Sequence, residues 1–279
     1  MLICCIAIFF ATLQVQNARI DNNETSIQTT AGLRQITNDR TPKRLAVASP
    51  DGKLVAYVVD LWLTSGPHKN DSGSPEDVIV VDTKGNILRH IIPEGYIPAQ
   101  FDQLEWIDNQ RVGAMTCGHA NCIYWMLDAG TGKTLKKMEG GFDFVWSHNR
   151  KWVARRFVDT GMGPSNQHDT LVLDDETVYP SSRELATMPR PGHVLGDSFV
   201  WSPKDNWVAF IDVQQPDGDS YIVVASPGGA VLRDRIAGDL PFDTQIKWTD
   251  DAHLKATASG RTFNLVIAGN QLRDVTPRR

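Results

Sequence analysis

Along residues 33–279 the apolar positions come in short runs broken by Gly, Pro, Asn and Asp, without the long 3.6-residue periodicity of an amphipathic helix. Five segments repeat one pattern: an apolar run, a polar turn, then a second apolar run. They are LAVASPDGKLVAYVVD from Leu45, LEWIDNQRVGAMTC from Leu104, FVWSHNRKWVARRF from Phe144, FVWSPKDNWVAFID from Phe199 and IKWTDDAHLKATAS from Ile246. The equivalent positions Ala48, Trp106, Trp146, Trp201 and Trp248 lie 40 to 58 residues apart. Each unit continues into a third run (DVIVVD, CIYWMLD, TLVLDD, YIVVAS, FNLVIAG), a tight turn and a fourth strand. The pattern predicts repeated four-stranded antiparallel sheets, with one helical turn at Arg183–Met188.

A lone four-stranded sheet leaves both faces bare, so such units must cover one another. Trp at the same point of four units fills the gap between neighbours, which reads as core rather than a sugar-stacking platform. The units WSPKDNWVAF and ASPDGKLVAY resemble the TolB-type, WD-like β-propeller repeat, roughly W-S-P-D-G-x-x-[IL]-A-F. The resemblance covers residues 33–279 and is strongest in the fourth unit; Trp106-Ile-Asp and Trp248-Thr-Asp lack the Ser-Pro. It implies an all-β propeller of five blades in a single domain, closed by GLRQIT (Gly32–Thr37) or QLRDVT (Gln271–Thr276), or six blades if a partial one forms. It implies a protein-binding platform or an appendage to an enzyme, not one activity.

The N-terminal run LICCIAIFFATL followed by QVQNA reads as a secretory signal peptide over residues 1–18, with a flexible tail over 19–32. A periplasmic or secreted location follows. No apolar run reaches the roughly 20 residues of a membrane-spanning helix. The net charge of −5 argues against a broad nucleic-acid binder. In an exporting compartment Cys117 and Cys122, flanking GHAN, are a disulfide candidate; zinc held by this pair with His119 is the rival.

Catalytic signatures are missing. Gly132-Lys-Thr134 ends like a phosphate loop, but Leu127 stands where that motif needs Gly, and neither G-x-S-x-G nor H-E-x-x-H occurs. The loops between second and third strands are long at Thr64–Asp77, Asp159–Thr170 and Gln214–Ser220, which marks one face as functional. His68, His119 and His168 fall in these loops as candidate ligands of a divalent cation; no other cofactor is expected. Asp102, Asp143, Asp197 and Asp243 each precede an innermost strand. A ring of such carboxylates would attract a cation or a basic partner segment, and turn capping is the alternative role. The expected function is therefore an exported, non-catalytic propeller that binds a protein or peptide partner through these loops. The alternative is a metal-assisted carbohydrate-active lyase or hydrolase at the channel mouth.

Overall fold

The computed structural model describes residues 17–21, 24–29, 32–37, 41, 43–60, 76–96, 100–118, 121–140, 144–159, 168–175, 181–185, 193–196, 199–214, 220–235, 244–258 and 260–277. These contain strands and no helix. The chain divides into two compact units, Met1–Thr116 with Tyr124–Lys137, and Cys117–Ile123 with Met138–Arg279.

A three-stranded sheet comes first, β1 (Asn17–Asp21), β2 (Glu24–Thr29) and β3 (Gly32–Gln35). Sheet I is β4 (Lys43–Ala48), β5 (Leu54–Asp60), β6 (Glu76–Asp82) and β7 (Ile87–Ile91). Sheet II is β8 (Gln103–Trp106), β9 (Arg111–Cys117), β10 (Cys122–Asp128) and β11 (Thr134–Gly140). Sheet III is β12 (Phe144–Trp146), β13 (Trp152–Asp159), β14 (His168–Asp175) and β15 (Ser181–Leu185). In sheet IV the innermost strand is broken into β16 (His193–Leu195) and β17 (Val200–Trp201), both paired with β18 (Val208–Gln214); β19 (Ser220–Ala225) and β20 (Val231–Arg235) follow. Sheet V is β21 (Gln245–Trp248), β22 (His253–Ala258), β23 (Arg261–Ala268) and β24 (Gln271–Asp274).

Every sheet is an antiparallel meander in chain order, as short turns between consecutive strands require. Two segments differ from the sequence expectation. The Ser-Ser-Arg-Glu-Leu stretch forms the edge strand β15 instead of a helical turn, because Leu185 through Ser181 pair with Leu171 through Asp175. Asn17–Asp21 and Glu24–Thr29 form the β1–β2 hairpin, and GLRQ pairs with β2 as its third strand.

The inner strands of sheet IV bury both faces by strict alternation, whereas β21 and β22 of sheet V bury only every second residue. In β19, Ile222 and Val224 join a cluster with Leu254, Leu265 and Trp248 of sheet V, while Val223 and Ala225 join Leu171, Leu173 and Trp201 on the other side. Period-two side chains on a pleated strand make this stacking possible, and each fully buried Val or Ile contributes about 1.5–3 kcal/mol. The expected core Trp residues are in place: Trp106, Trp146, Trp201 and Trp248 are all buried.

The turns after Ala48, Trp146 and Trp201 share one geometry. Ser49, Ser147 and Ser202 each accept, on the side-chain oxygen, the N–H five residues on, from Leu54, Trp152 and Trp207. The fourth residue past the Trp position takes positive φ: 67° at Gly52, 59° at Arg150 and 60° at Asp205. This left-handed step explains the Gly of the S-P-D-G pattern.

Candidate functional site

The long connections all leave from the strand ends remote from the Trp turns. They join β5 to β6, β13 to β14 and β18 to β19, and their central residues 61–75, 160–167 and 215–219 lie outside the described residues. His68, His119, Asp143, Asp197 and Asp243 also lie outside them. His168 opens β14 opposite Asp159, with its side chain undescribed. Asp102 is exposed and enters β8 by donating its main-chain N–H to Met115 O at 2.8 Å. Cys117 and Cys122 form the expected disulfide, with Cα atoms 4.0 Å apart. Gly118 N–H donates to Asn121 O at 2.8 Å inside the bridge, so this loop is doubly closed.

Beneath the loops lie buried charges that sequence inspection did not single out. In the first unit Glu76, at the start of β6, is 1% exposed. One carboxylate oxygen accepts the N–H of Phe101 at 2.6 Å, and the other lies 3.2 Å from Arg44 Nε. Arg44 donates from one terminal nitrogen to Phe101 O and from the other to Gln100 Oε1 at 3.1 Å. Both polar groups of Phe101 are thus held by one ion pair. Its ring is sealed by Tyr96, stacked at 5.0 Å, and by the edge of Trp125 at 6.1 Å. The Tyr96 hydroxyl in turn accepts the N–H of Glu76.

The second unit repeats the device with different residues. Asp169 of β14 accepts the N–H of Leu195 at 2.9 Å, and Arg156 of β13 donates to Leu195 O at 2.8 Å. The two side chains are 3.8 Å apart, and both residues are buried. Phe101 and Leu195 occupy matching places, on the approach to Trp106 and Trp201. Nearby, His193 Nδ1 lies 3.0 Å from Asp212 Oδ1, with both side chains buried. Burying charges is costly unless they are paired and hydrogen-bonded, and Arg44, Glu76, Arg156 and Asp169 each meet that demand with a bond to the main chain. A visible signal existed: an acidic residue two positions before the apolar run of the third strand, Glu76 in EDVIVVD and Asp169 in DTLVLDD.

Two further groups shape the same end of sheet I. Lys43 donates to Thr41 O at 2.9 Å and lies over the Tyr57 ring. Burial pushes the Asp77 carboxyl above its ordinary range, and His90 at 3.7 Å only partly opposes this. Among the described residues, no three His, Cys, Asp or Glu side chains come together in a group able to hold a metal ion. Chemically, the described part of this end is a set of backbone clamps below long loops.

No protein-family model matches the chain, and no curated protein does. Solved structures do. The β-propeller domain of the Trilobed protease from Pyrococcus furiosus is similar over 96% of this chain and 86% of that one, with 10% identity and a TM-score of 0.46. A structure assigned as a dipeptidyl aminopeptidase IV from Bacteroides ovatus is similar over 93% of this chain, with 11% identity and a TM-score of 0.52. The chain spans 45% of the length of that protein. An oligogalacturonate lyase solved with manganese is similar over 90% of this chain and 70% of that one, with 13% identity and a TM-score of 0.49. At these identities the likeness concerns the fold, which is an all-β propeller of stacked antiparallel sheets.

Proposed function

We propose that the protein is an exported, non-catalytic propeller of the TolB-type, WD-like class that binds a protein or peptide partner through its second-to-third-strand loops. The observation that carries this reading is the use made of the buried charges at the loop ends. Glu76, Arg44, Asp169 and Arg156 are turned onto the main chain of Phe101 and Leu195. They hold the rims of the sheets and leave recognition to the loops above, as expected of a rigid scaffold presenting variable loops. The Cys117–Cys122 bridge supports both export and a pre-shaped loop, since disulfides persist in oxidising compartments. In this reading Asp102, Asp143, Asp197 and Asp243 attract a basic segment of the partner, and His68, His119 and His168 are available to a divalent cation.

The test is capture of partners from extracts of the source cells by the purified protein, with and without shortening of residues 64–77 and 159–170. A protein retained by the intact form and lost by both shortened forms supports the proposal. Equal retention by all three overturns the role of the loops. A stoichiometric metal ion in the purified protein, lost on His68→Ala or His168→Ala, would instead favour the metal-assisted enzyme.

A further inference from the structure

A second surface lies on sheet V, on the face turned away from sheet IV. Trp248, Leu254 and Leu265 pack towards sheet IV, and alternate residues of the same strands point the other way. Strand register gathers Gln245 and Lys247 of β21, Lys255 and Thr257 of β22, Thr262 of β23 and Arg273 of β24 on this second face. All six are exposed. No position of β21 to β24 on this face is Asp or Glu.

The cations of this face are arranged at a cost. Lys247 and Lys255 stand directly opposite each other in register, and like charges so placed destabilise a sheet. Among the described residues, neither ammonium group has an ion-pair or hydrogen-bond partner. Arg273 adds a third positive charge, with Nε and Nη2 both donating to Gln271 Oε1. Asp274, next along β24, lies on the opposite face and accepts the N–H of Thr276 at 2.8 Å. In a chain of net charge −5, composition does not account for this concentration of positive charge. An arrangement that costs stability and has no counter-charge within the fold points to a counter-charge outside it.

The rest of the face selects the kind of anion. Directly opposed residues such as Lys247 and Lys255 have Cβ atoms about 5 Å apart. Arg273 is two strands from Lys255, about 10 Å across the sheet and about 7 Å along it, so one small oxyanion cannot reach all three. Beside the cations stand amide and hydroxyl side chains, Gln245, Thr257 and Thr262, each both donor and acceptor; the two Thr Oγ1 atoms are 3.4 Å apart. The aromatic and Met residues that anchor protein interfaces, or on which single-stranded bases stack, do not occur on this face. We propose that this face of sheet V binds an acidic polysaccharide. Its carboxylates meet Lys247, Lys255 and Arg273, and its ring hydroxyls meet Gln245, Thr257 and Thr262.

The probe is an end-labelled alginate oligosaccharide, titrated into the purified protein and followed by fluorescence anisotropy. Saturable binding at about 50 mM salt that fades at about 500 mM is expected, with no binding of the carboxyl-reduced oligosaccharide. Lys247→Gln and Lys255→Gln should each weaken binding about fivefold, and Thr257→Ala/Thr262→Ala about threefold. All four positions are exposed, and thermal melts confirm that each variant is folded. Undiminished binding by the folded Lys247→Gln/Lys255→Gln double variant overturns the proposal, as does the lack of any binding at about 50 mM salt. Polyglutamate bound as tightly as the oligosaccharide also overturns it, because the hydroxyl contacts then contribute nothing. So does displacement by inorganic phosphate at the concentration of the oligosaccharide, which marks a single small-oxyanion site. Failure here leaves the loop-mediated reading intact, since no variant touches those loops.

Discussion

Trp201 donates its indole N–H to the carbonyl of Val145, 2.9 Å away and one sheet earlier in the chain. The same bond recurs from Trp248 to Val200 at 2.8 Å and from Trp106 to Val47 at 3.1 Å. In each case the acceptor immediately precedes the equivalent Trp, or Ala48, of the preceding sheet. The repeated Trp therefore does two jobs: it fills the space between sheets and sets their register by a directional bond. Trp201→Phe keeps most of the volume but deprives a buried carbonyl of its donor, which costs about 1–3 kcal/mol. Trp201→Ala adds a cavity and should cost about 3–5 kcal/mol. Urea midpoints at constant slope separate the two; a Phe variant as stable as the parent would show that the bond contributes nothing.

A second latch joins the same sheets at their turns. Asp205 accepts the N–H groups of His148 and Asn149, each at 2.8 Å, and lies 2.8 Å from His148 Nδ1. Asp205→Ala removes charge-assisted bonds at a buried position and should cost about 2–3 kcal/mol. Asp205→Asn tolerates the left-handed backbone and retains one acceptor oxygen, so it should lose less. Asp251, which accepts the Lys204 N–H at an exposed turn, is the control, and its Ala variant should lose under about 1 kcal/mol. Equal losses at the two positions would show that burial is not what strengthens the latch.

The strands and their burial were legible because a two-residue period and a recurrent Trp are local signals. The turns that lack Ser-Pro were legible only in outline. There an Asp two residues past Trp takes over: Asp108 accepts from Gln110 and Arg111, and Asp250 from Ala252 and His253. The clamps on Phe101 and Leu195 were not legible. Arg44 lies 57 residues from Phe101, and Arg156 lies 39 from Leu195, with undescribed loops between. A charged residue at a strand end looks solvated until a neighbouring strand is known to cover it.

Because Arg156 and Asp169 hold one peptide group jointly, their contributions should not add. Asp169→Asn removes the counter-charge of a buried guanidinium and should cost about 3 kcal/mol. Arg156→Met alone should cost a similar amount, and the double variant less than the sum of the two. A double-mutant cycle with a coupling energy near zero would show that the pair acts as two separate backbone contacts.

Acid should weaken the fold partly through Asp108. Burial raises its carboxyl, but the N–H groups of Gln110 and Arg111 and the Arg111 guanidinium together outweigh burial and hold it below its ordinary 3.8. A depressed folded-state pKa means the native state binds fewer protons than the unfolded chain near that pH. The stabilisation is complete above about pH 4 and is lost as pH falls through the folded-state value. Asp108→Asn should therefore be less stable than the parent at pH 7 and converge with it near pH 2. Asp77, raised by burial, has the opposite sign: its contribution falls as pH rises past 3.8, so Asp77→Asn should gain relative to the parent at neutral pH. Stability measured from pH 2 to 7 for both variants tests the two signs together.

The Cys117–Cys122 bridge closes only a short loop, with a sequence separation of 5. Chain-entropy arithmetic for so small a ring gives about 2 kcal/mol, well below what a long cross-link would supply. The strands the bridge joins, β9 and β10, bury Val112, Ala114, Tyr124 and Trp125 apart from it, so the Cys117→Ala/Cys122→Ala variant should fold and lose no more than that amount. The loop itself should respond more strongly. Gly118 and Asn121 share one main-chain bond inside the bridge, and without the covalent closure their amides should exchange with solvent faster while those of β9 remain protected. Hydrogen exchange resolved to single amides distinguishes this from a global effect. Equal acceleration throughout β9 and β10 would mean that the bridge holds the sheet rather than the loop.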